Sequence, residues 1–226
     1  MAVSENLLKI RATIPVNVQL VAVSKTKPNA DILEAYQLGQ RDFGENKVQE
    51  LTTKYESLPK DIEWHFIGHL QTNKVKYIAP FVALIHGVDS LKLLKTIDRE
   101  AAKNNRVINC LLQFYIASEA TKFGLDLDEA KQLLDSVEFG ELKHVQIAGV
   151  MGMATYTSNV EQIRNEFKTL KKIFDTLKAN YFSDHQYFCE ISMGMSDDYK
   201  IAIEQGSTMV RIGSTIFGAR NYSVEV

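Results

Sequence analysis

The chain has 226 residues, with 26 lysines and arginines against 28 aspartates and glutamates, 45% hydrophobic and 24% charged residues, and a formal net charge of -2. Such a balance offers no basic footprint for nucleic acid or for a membrane surface, and no apolar run approaches the ~18 residues a bilayer-spanning helix needs. The length suits one α/β barrel or one open α/β sheet, and a single domain over residues 1–226 is expected.

The N-terminal MAVSENLLKIRATIPV carries charges throughout and reads as a short amphipathic helix, not a signal peptide, so a cytoplasmic protein is expected. VQLVAVS (18–24) is the first strand candidate. It ends in SKTKP, and Pro28 opens the helical run NADILEAYQLG. RDFG (41–44) follows, then NKVQELTTKYESL (46–58), whose Val48, Leu51, Tyr55 and Leu58 recur on one helical face. WHFIG (64–68), VALIHGV (82–88) and VINCLLQFYI (107–116) are further strands, with the helix LKLLKTIDREAAKNN (91–105) after the second of these. In GVDS, Asp89 is expected to cap that helix. DLDEAKQLLDSV (126–137) has acidic residues in its first turn, as the helix dipole favours. VQIAGVMGM (145–153) leads to the long helix 159–181, with Ile163, Phe167, Leu170, Phe174 and Leu177 on one face. QYFCEISM (186–193) and TMVRIG (208–213) complete the set. Cys110 and Cys189 both fall within predicted strands, outside any CxxC pair, and are expected as buried reduced thiols.

Eight near-continuous apolar strands, each followed by a helix or helical turn, predict a (β/α)8 TIM barrel of parallel strands. An open doubly wound sheet would show a glycine-rich turn after the first strand, and SKTKP contains no glycine. In a barrel, the site lies at the C-terminal ends of the strands. Those ends carry Lys25, Asn46, His65, Met151, Met153, the SMGMSDDYK loop and Arg211 with Gly213 and Ser214.

Barrels often bind phosphate with their last two loops. In the seventh, Gly194 and Ser196 precede Asp197 and Asp198. In the eighth, Gly213 lets backbone approach a ligand and Ser214 offers a hydroxyl. Each loop alone reads equally as a helix cap or a turn. Arg211, flanked by apolar residues, is either half of a structural ion pair or a donor to a ligand. Lys25 closes a buried strand. Desolvation and a neighbouring arginine would supply the free amine that Schiff-base chemistry needs, while Lys27 is expected to turn out toward solvent. A Schiff-base lysine, a neutral phosphate cradle and an arginine donor in one mouth point to pyridoxal 5'-phosphate (PLP). Arginine in place of an aspartate would leave the pyridine nitrogen unprotonated and the ring a weak electron sink.

VAVSKTKP, FGENKVQE, WHFIGHLQTNK and GMSDDYKIAIEQGSTMVRIGSTIFGAR together resemble the PLP homeostasis protein family, over about residues 18–222. The family is similar in fold to the N-terminal barrel of alanine racemase and of ornithine decarboxylase. The resemblance implies that Lys25 binds PLP and that Ser196, Gly213 and Ser214 hold its phosphate. It also implies that Arg211 faces the pyridine nitrogen and Asn46 packs beside the ring. His65 and Met151 are expected to complete the lining. The chain departs mildly from the pattern. Ser214 stands where some members have threonine, GHL (68–70) where others have GPL, and QFYIASEATKFGLD (113–126) matches only loosely.

His65 and His69 have zinc-like i, i+4 spacing but sit on a strand-like stretch without a zincin glutamate, so no metal is expected. The functional expectation is a monomeric PLP carrier that holds, buffers or delivers the cofactor, with apo PLP-dependent enzymes as recipients and without efficient turnover. The chain ends soon after FGARN, so no second domain supplying an opposite-face acid or base is expected. The alternative is a weak amino-acid racemase or lyase, for which Tyr156 is the acid/base candidate. A barrel binding another sugar or nucleotide phosphate is a third reading.

Overall fold

The computed structural model describes residues 2–118 and 124–218. Eight parallel strands close into a barrel in sequence order: β1 (Gln19–Val23), β2 (Asp42–Glu45), β3 (Glu63–Phe66), β4 (Leu84–Val88), β5 (Ile108–Tyr115), β6 (Val145–Met153), β7 (Glu190–Ser192) and β8 (Met209–Ile212). β8 returns to β1 with Gln19 opposite Met209 and Ala22 opposite Ile212, which leaves no free edge.

The helices form the outer layer. They are α1 (Val3–Arg11), α2 (Asn29–Gln37), α3 (Val48–Ser57), α4 (Val75–Ile78), α5 (Leu91–Lys103), α6 (Leu127–Leu134), α7 (Val137–Gly140), α8 (Val160–Tyr181), α9 (Tyr199–Glu204) and α10 (Ser214–Phe217). The apolar stripe of α8 buries Ile163, Phe167, Leu170, Ile173 and Leu177. Phe174 is only partly buried and stacks on Phe188 with ring centroids 5.0 Å apart. On α3, Val48 and Leu51 are buried and Tyr55 stacks on Phe81 at 3.8 Å. Among the described residues no helix is long and apolar enough to cross a membrane.

Three local expectations change. The N-cap of α5 is Ser90, whose hydroxyl accepts from the Leu93 N–H. Asp89 sits one residue too early and lies 3.9 Å from His69. Cys189 is exposed, because β7 is only three residues long and begins after it, whereas Cys110 is buried on β5. The chain before β7 leaves the sheet and puts Phe188 against Phe174 and Phe182.

Strand alternation sorts side chains into barrel-facing and helix-facing sets. Val21, Leu84, Leu111, Ala148, Met151 and Met209 form a separate buried cluster inside the barrel. Gln19, Asp42, Glu63, His65, Asn109, Gln146 and Glu190 line the mouth at the N-terminal ends of the strands. The other mouth holds the candidate site.

Candidate cofactor site

At the C-terminal mouth a cavity of about 270 Å³ is lined by Lys25, Lys27, Asn46, Tyr156, Met195, Ser196, Asp197, Arg211, Gly213 and Ser214. Val23, Ile67, Met153 and Gly218 supply the rest of its wall.

Lys25 reaches this cavity because β1 alternates. Gln19 lies at the lower mouth, Val21 in the inner cluster and Val23 on the cavity wall, so the next inward position is Lys25. The turn that follows is held from below. Thr26 takes φ 64°, an uncommon conformation for a β-branched residue, and its N–H donates to Glu50 Oε1 at 2.6 Å. Ser24 Oγ donates to the fully buried Glu45 at 2.6 Å. Lys54, also buried, donates to the Ser24 carbonyl, to Glu45 and to Glu50 at 2.7–2.8 Å. Burial pushes the Glu45 carboxyl up from its ordinary range, and Lys54 opposes that shift. Lys27 does not leave the site. The same turn returns its N–H to the Ser24 carbonyl at 3.0 Å, and its side chain joins the lining.

Asn46 follows β2. Its side-chain Oδ1 is buried without a hydrogen-bond partner, on a residue that lines the cavity. Gly68 packs against it so closely that a Cβ there would stand 2.4 Å from the Asn46 carbonyl oxygen.

The last two loops are tied together. Gly194 takes φ +96°, and any Cβ there would meet Ala202 Cβ at 2.6 Å, so the sharp turn into SDD requires glycine. Its carbonyl accepts the Arg211 N–H at 2.9 Å, and the Met195 N–H donates to Asp198 Oδ1 at 2.6 Å. The Gly213 N–H donates to Ser196 Oγ at 3.4 Å. A Cβ on Gly213 would lie 3.0 Å from the Val23 carbonyl, which keeps the eighth loop against β1. Ser214 then opens α10.

Arg211 is buried and forms part of the cavity wall. Its Nη1 donates to Ser192 Oγ at 2.5 Å and its Nη2 to the Gly152 carbonyl at 3.2 Å. Burial brings its pKa down to about 10, with Asp198 acting through space in the opposite direction. Among the described residues no carboxylate forms an ion pair with it, so the structural ion-pair reading of this arginine falls away.

Two expected lining residues sit one inward step too low. His65 is on the barrel-facing side of β3, but it is Ile67, two residues on, that reaches the cavity. His65 hydrogen-bonds His86 Nε2 at 3.0 Å and Asp42 Oδ1 at 3.2 Å, and lines the opposite mouth. Met151 lies in the inner cluster, and Met153, again two residues on, lines the cavity. The sequence establishes the face of each strand, but the depth of each residue depends on where the strand sits along the barrel. His69, with 61% of its side chain exposed, stands apart from the buried His65. Tyr156 lines the cavity but is 89% exposed. Residues 119–123 of the loosely matching 113–126 stretch, and residues 219–226 of the C-terminus, lie outside the described residues. The Glu45–Lys54–Glu50 cluster is not legible in the sequence pattern. Its one sequence trace is the i, i+4 spacing of Glu50 and Lys54 on α3.

The family model of the alanine racemase N-terminal domain matches residues 1–221. A pyridoxal phosphate homeostasis protein of Aquifex aeolicus is 42% identical over 205 residues, which span 90% of this chain and 88% of that protein. One from Haemophilus influenzae is 41% identical over 209 residues, spanning 91% and 86%. Among solved structures, PipY of Synechococcus elongatus with PLP bound superposes with a TM-score of 0.86 at 35% identity, covering 96% of this chain and all of PipY. Alanine racemase of Bartonella henselae, at 16% identity and a TM-score of 0.70, shares the fold over 97% of this chain and 59% of its own. The chain therefore belongs to the pyridoxal phosphate homeostasis proteins, within the alanine racemase N-terminal domain family.

Proposed function

We propose that the C-terminal mouth binds PLP covalently through Lys25 and that the protein holds, buffers or delivers the cofactor without efficient turnover. The observation that carries this reading is one cavity uniting the lysine at the end of β1, the Ser196–Gly213–Ser214 cradle and the cationic Arg211. The residues fit the group. The buried Asn46 Oδ1 lacks a partner in the protein, as a ligand-facing atom would, and a Cβ at Gly213 would press to 3.0 Å from the Val23 carbonyl.

When bound, PLP supplies an aldehyde that condenses with an amine, and a phosphate that takes neutral donors. The residues then divide the work. Lys25 provides the amine, and Ser196, Gly213 and Ser214 the phosphate donors. Asn46 would flank the ring. Arg211 would serve the pyridine nitrogen as a donor that stays protonated and gives up no proton. That weak electron sink supports carriage over turnover. The proposed carrier is a monomer, and sequestering a reactive aldehyde supports delivery to apo PLP-dependent enzymes in the cytoplasm.

The test compares the rate at which PLP moves from the loaded protein to an apo-enzyme with its spontaneous off-rate. Faster transfer supports delivery, and equal rates mean passive buffering. A protein that stays colourless with added PLP would contradict the cofactor reading and favour a binder of another phosphate. Tyr156 on the cavity wall favours a weak racemase or lyase as the second reading. That reading requires solvent deuterium exchange at the Cα of amino acids above the level of free PLP, lost in Tyr156→Phe.

A further inference from the structure

Arg211 is a buried cation whose nearest acceptors are a hydroxyl and a carbonyl. From that hydroxyl an unbroken series of hydrogen bonds crosses the barrel interior. Ser192 Oγ lies 3.0 Å from His86 Nδ1, His86 Nε2 lies 3.0 Å from His65 Nδ1, and His65 Nε2 lies 3.2 Å from Asp42 Oδ1. Ser192 and His86 are fully buried and His65 nearly so. Asp42 lines the N-terminal mouth, with a quarter of its side chain exposed.

The donor inventory fixes the direction of this series. Arginine can only donate, and an ionised aspartate can only accept. If both histidines are neutral, His65 must carry its proton on Nε2 to meet Asp42, which leaves Nδ1 to accept. His86 must then also carry its proton on Nε2 and accept on Nδ1, from the Ser192 hydroxyl. Ser192 in turn accepts from Arg211. Every link is satisfied in this arrangement, and the opposite arrangement would set the bare His65 Nε2 against a carboxylate. Burial, with His65 and Arg211 adding to it, holds His86 well below the ordinary histidine range, consistent with a neutral ring at this position.

We propose that Arg211, Ser192, His86, His65 and Asp42 form a one-way hydrogen-bonded chain by which the N-terminal mouth of the barrel sets the orientation and polarisation of the arginine at the cofactor cavity, with His65 and His86 as positioning residues. The link to the cofactor rests on the proposed PLP site. The chain itself does not. It has two states. When His65 gains a second proton both its nitrogens donate, His86 must accept on Nε2, and its own proton moves to Nδ1. The His86 ring then donates to Ser192 Oγ, whose hydroxyl proton is turned away. The His86 Nε2 proton passes to His65 Nδ1, the Ser192 hydroxyl proton passes to His86 Nδ1, and Ser192 Oγ is reprotonated from solvent hydronium, so one O–H bond of hydronium is broken for the one N–H bond gained. The charged and titratable groups around the chain are Asp42 on β2, Glu63 on β3, Glu190 on β7 and Tyr187 at the lower mouth, with Asp198 near Arg211 above.

The experiment is nitrogen-15 NMR of the cofactor-free protein labelled at histidine, where long-range proton–nitrogen correlations distinguish the tautomers. At pH 8 both His65 and His86 should appear as Nε2–H. On acidification, His86 should change to Nδ1–H together with the protonation of His65. Ser192→Ala cuts the series between His86 and Arg211, so the His86 tautomer change should persist while its effect at the cofactor cavity is lost. It keeps the volume nearly unchanged and serves where histidine substitutions fail to fold. In the PLP-loaded protein the visible absorption maximum should shift with the same midpoint. His86 as Nδ1–H at pH 8, a His86 tautomer indifferent to the titration of His65, or an absorption maximum that ignores the flip would each overturn the proposal. Failure to load PLP at all would refute the cofactor reading instead, and the tautomers would still decide the chain.

Discussion

Lys54 Nζ donates to the carbonyl oxygen of Ser24 at 2.8 Å, so a buried ammonium on α3 holds the residue immediately before Lys25. The same ammonium neutralises Glu45 and Glu50, and those carboxylates in turn take the Ser24 hydroxyl and the Thr26 N–H. Both neighbours of Lys25 are thus fixed through one side chain.

Lys54→Met should therefore act twice. It leaves Glu45 buried without its counter-charge, and breaking one side of a buried pair costs about 3–5 kcal/mol. It also frees the turn, so PLP should dissociate faster. Denaturant unfolding and off-rate measurements check the two effects. An unchanged PLP off-rate in a destabilised protein would show that the cluster supports the barrel and not the lysine.

Gly68→Ala should be costly despite its small size. The added Cβ would stand 2.4 Å from the Asn46 carbonyl, a backbone atom that cannot swing away. Forced repacking of this kind costs about 1–3 kcal/mol. The displacement falls on Asn46, so PLP affinity should drop more than for an alanine at Gly140, where a Cβ meets nothing within 4 Å. Equal affinities in the two variants would separate the Gly68 contact from the site.

Stability should fall on the acid side of neutrality. His86 is held well below 6.5 in the folded protein by burial, while the unfolded chain titrates near that value. As the pH falls below about 6.5 the unfolded state takes up a proton that the folded state refuses, which favours unfolding by at most about 1.4 kcal/mol per pH unit. The contribution is fully present above 6.5 and lost below it. Urea midpoints between pH 8 and 5 should decline, and His86→Gln, though less stable at pH 8, should decline less. Parallel declines would assign the acid sensitivity to other groups.

How far the sequence discloses this molecule depends on what kind of force places each residue. Parallel strands buried on both faces must be apolar throughout, so VQLVAVS and VINCLLQF announce β1 and β5 within a residue or two. β7 is less legible, because the aromatic run before it looks like a strand while Phe188 packs against α8. The lysine, the arginine and the two serine-bearing loops fall at strand ends and can be placed by fold alone. His65 and Met151 cannot, since a period of two gives the face of a strand and not its height in the barrel. The Lys54 cluster and the Asp42–His65–His86–Ser192 series join residues from different elements, and polar pairs of that kind leave no periodicity to read.

The central claim is that β1 delivers Lys25, and not its neighbour Lys27, to the cofactor. Both side chains line the same cavity, so the structure makes the comparison a demanding one. The direct measurement is borohydride reduction of the PLP-loaded protein followed by mass spectrometry of its peptides, in the wild type and in Lys25→Ala and Lys27→Ala. The account predicts a reduced adduct on Lys25 in the wild type and in Lys27→Ala, and none in Lys25→Ala. An adduct on Lys27 in the wild type, or an undiminished one in Lys25→Ala, would contradict it.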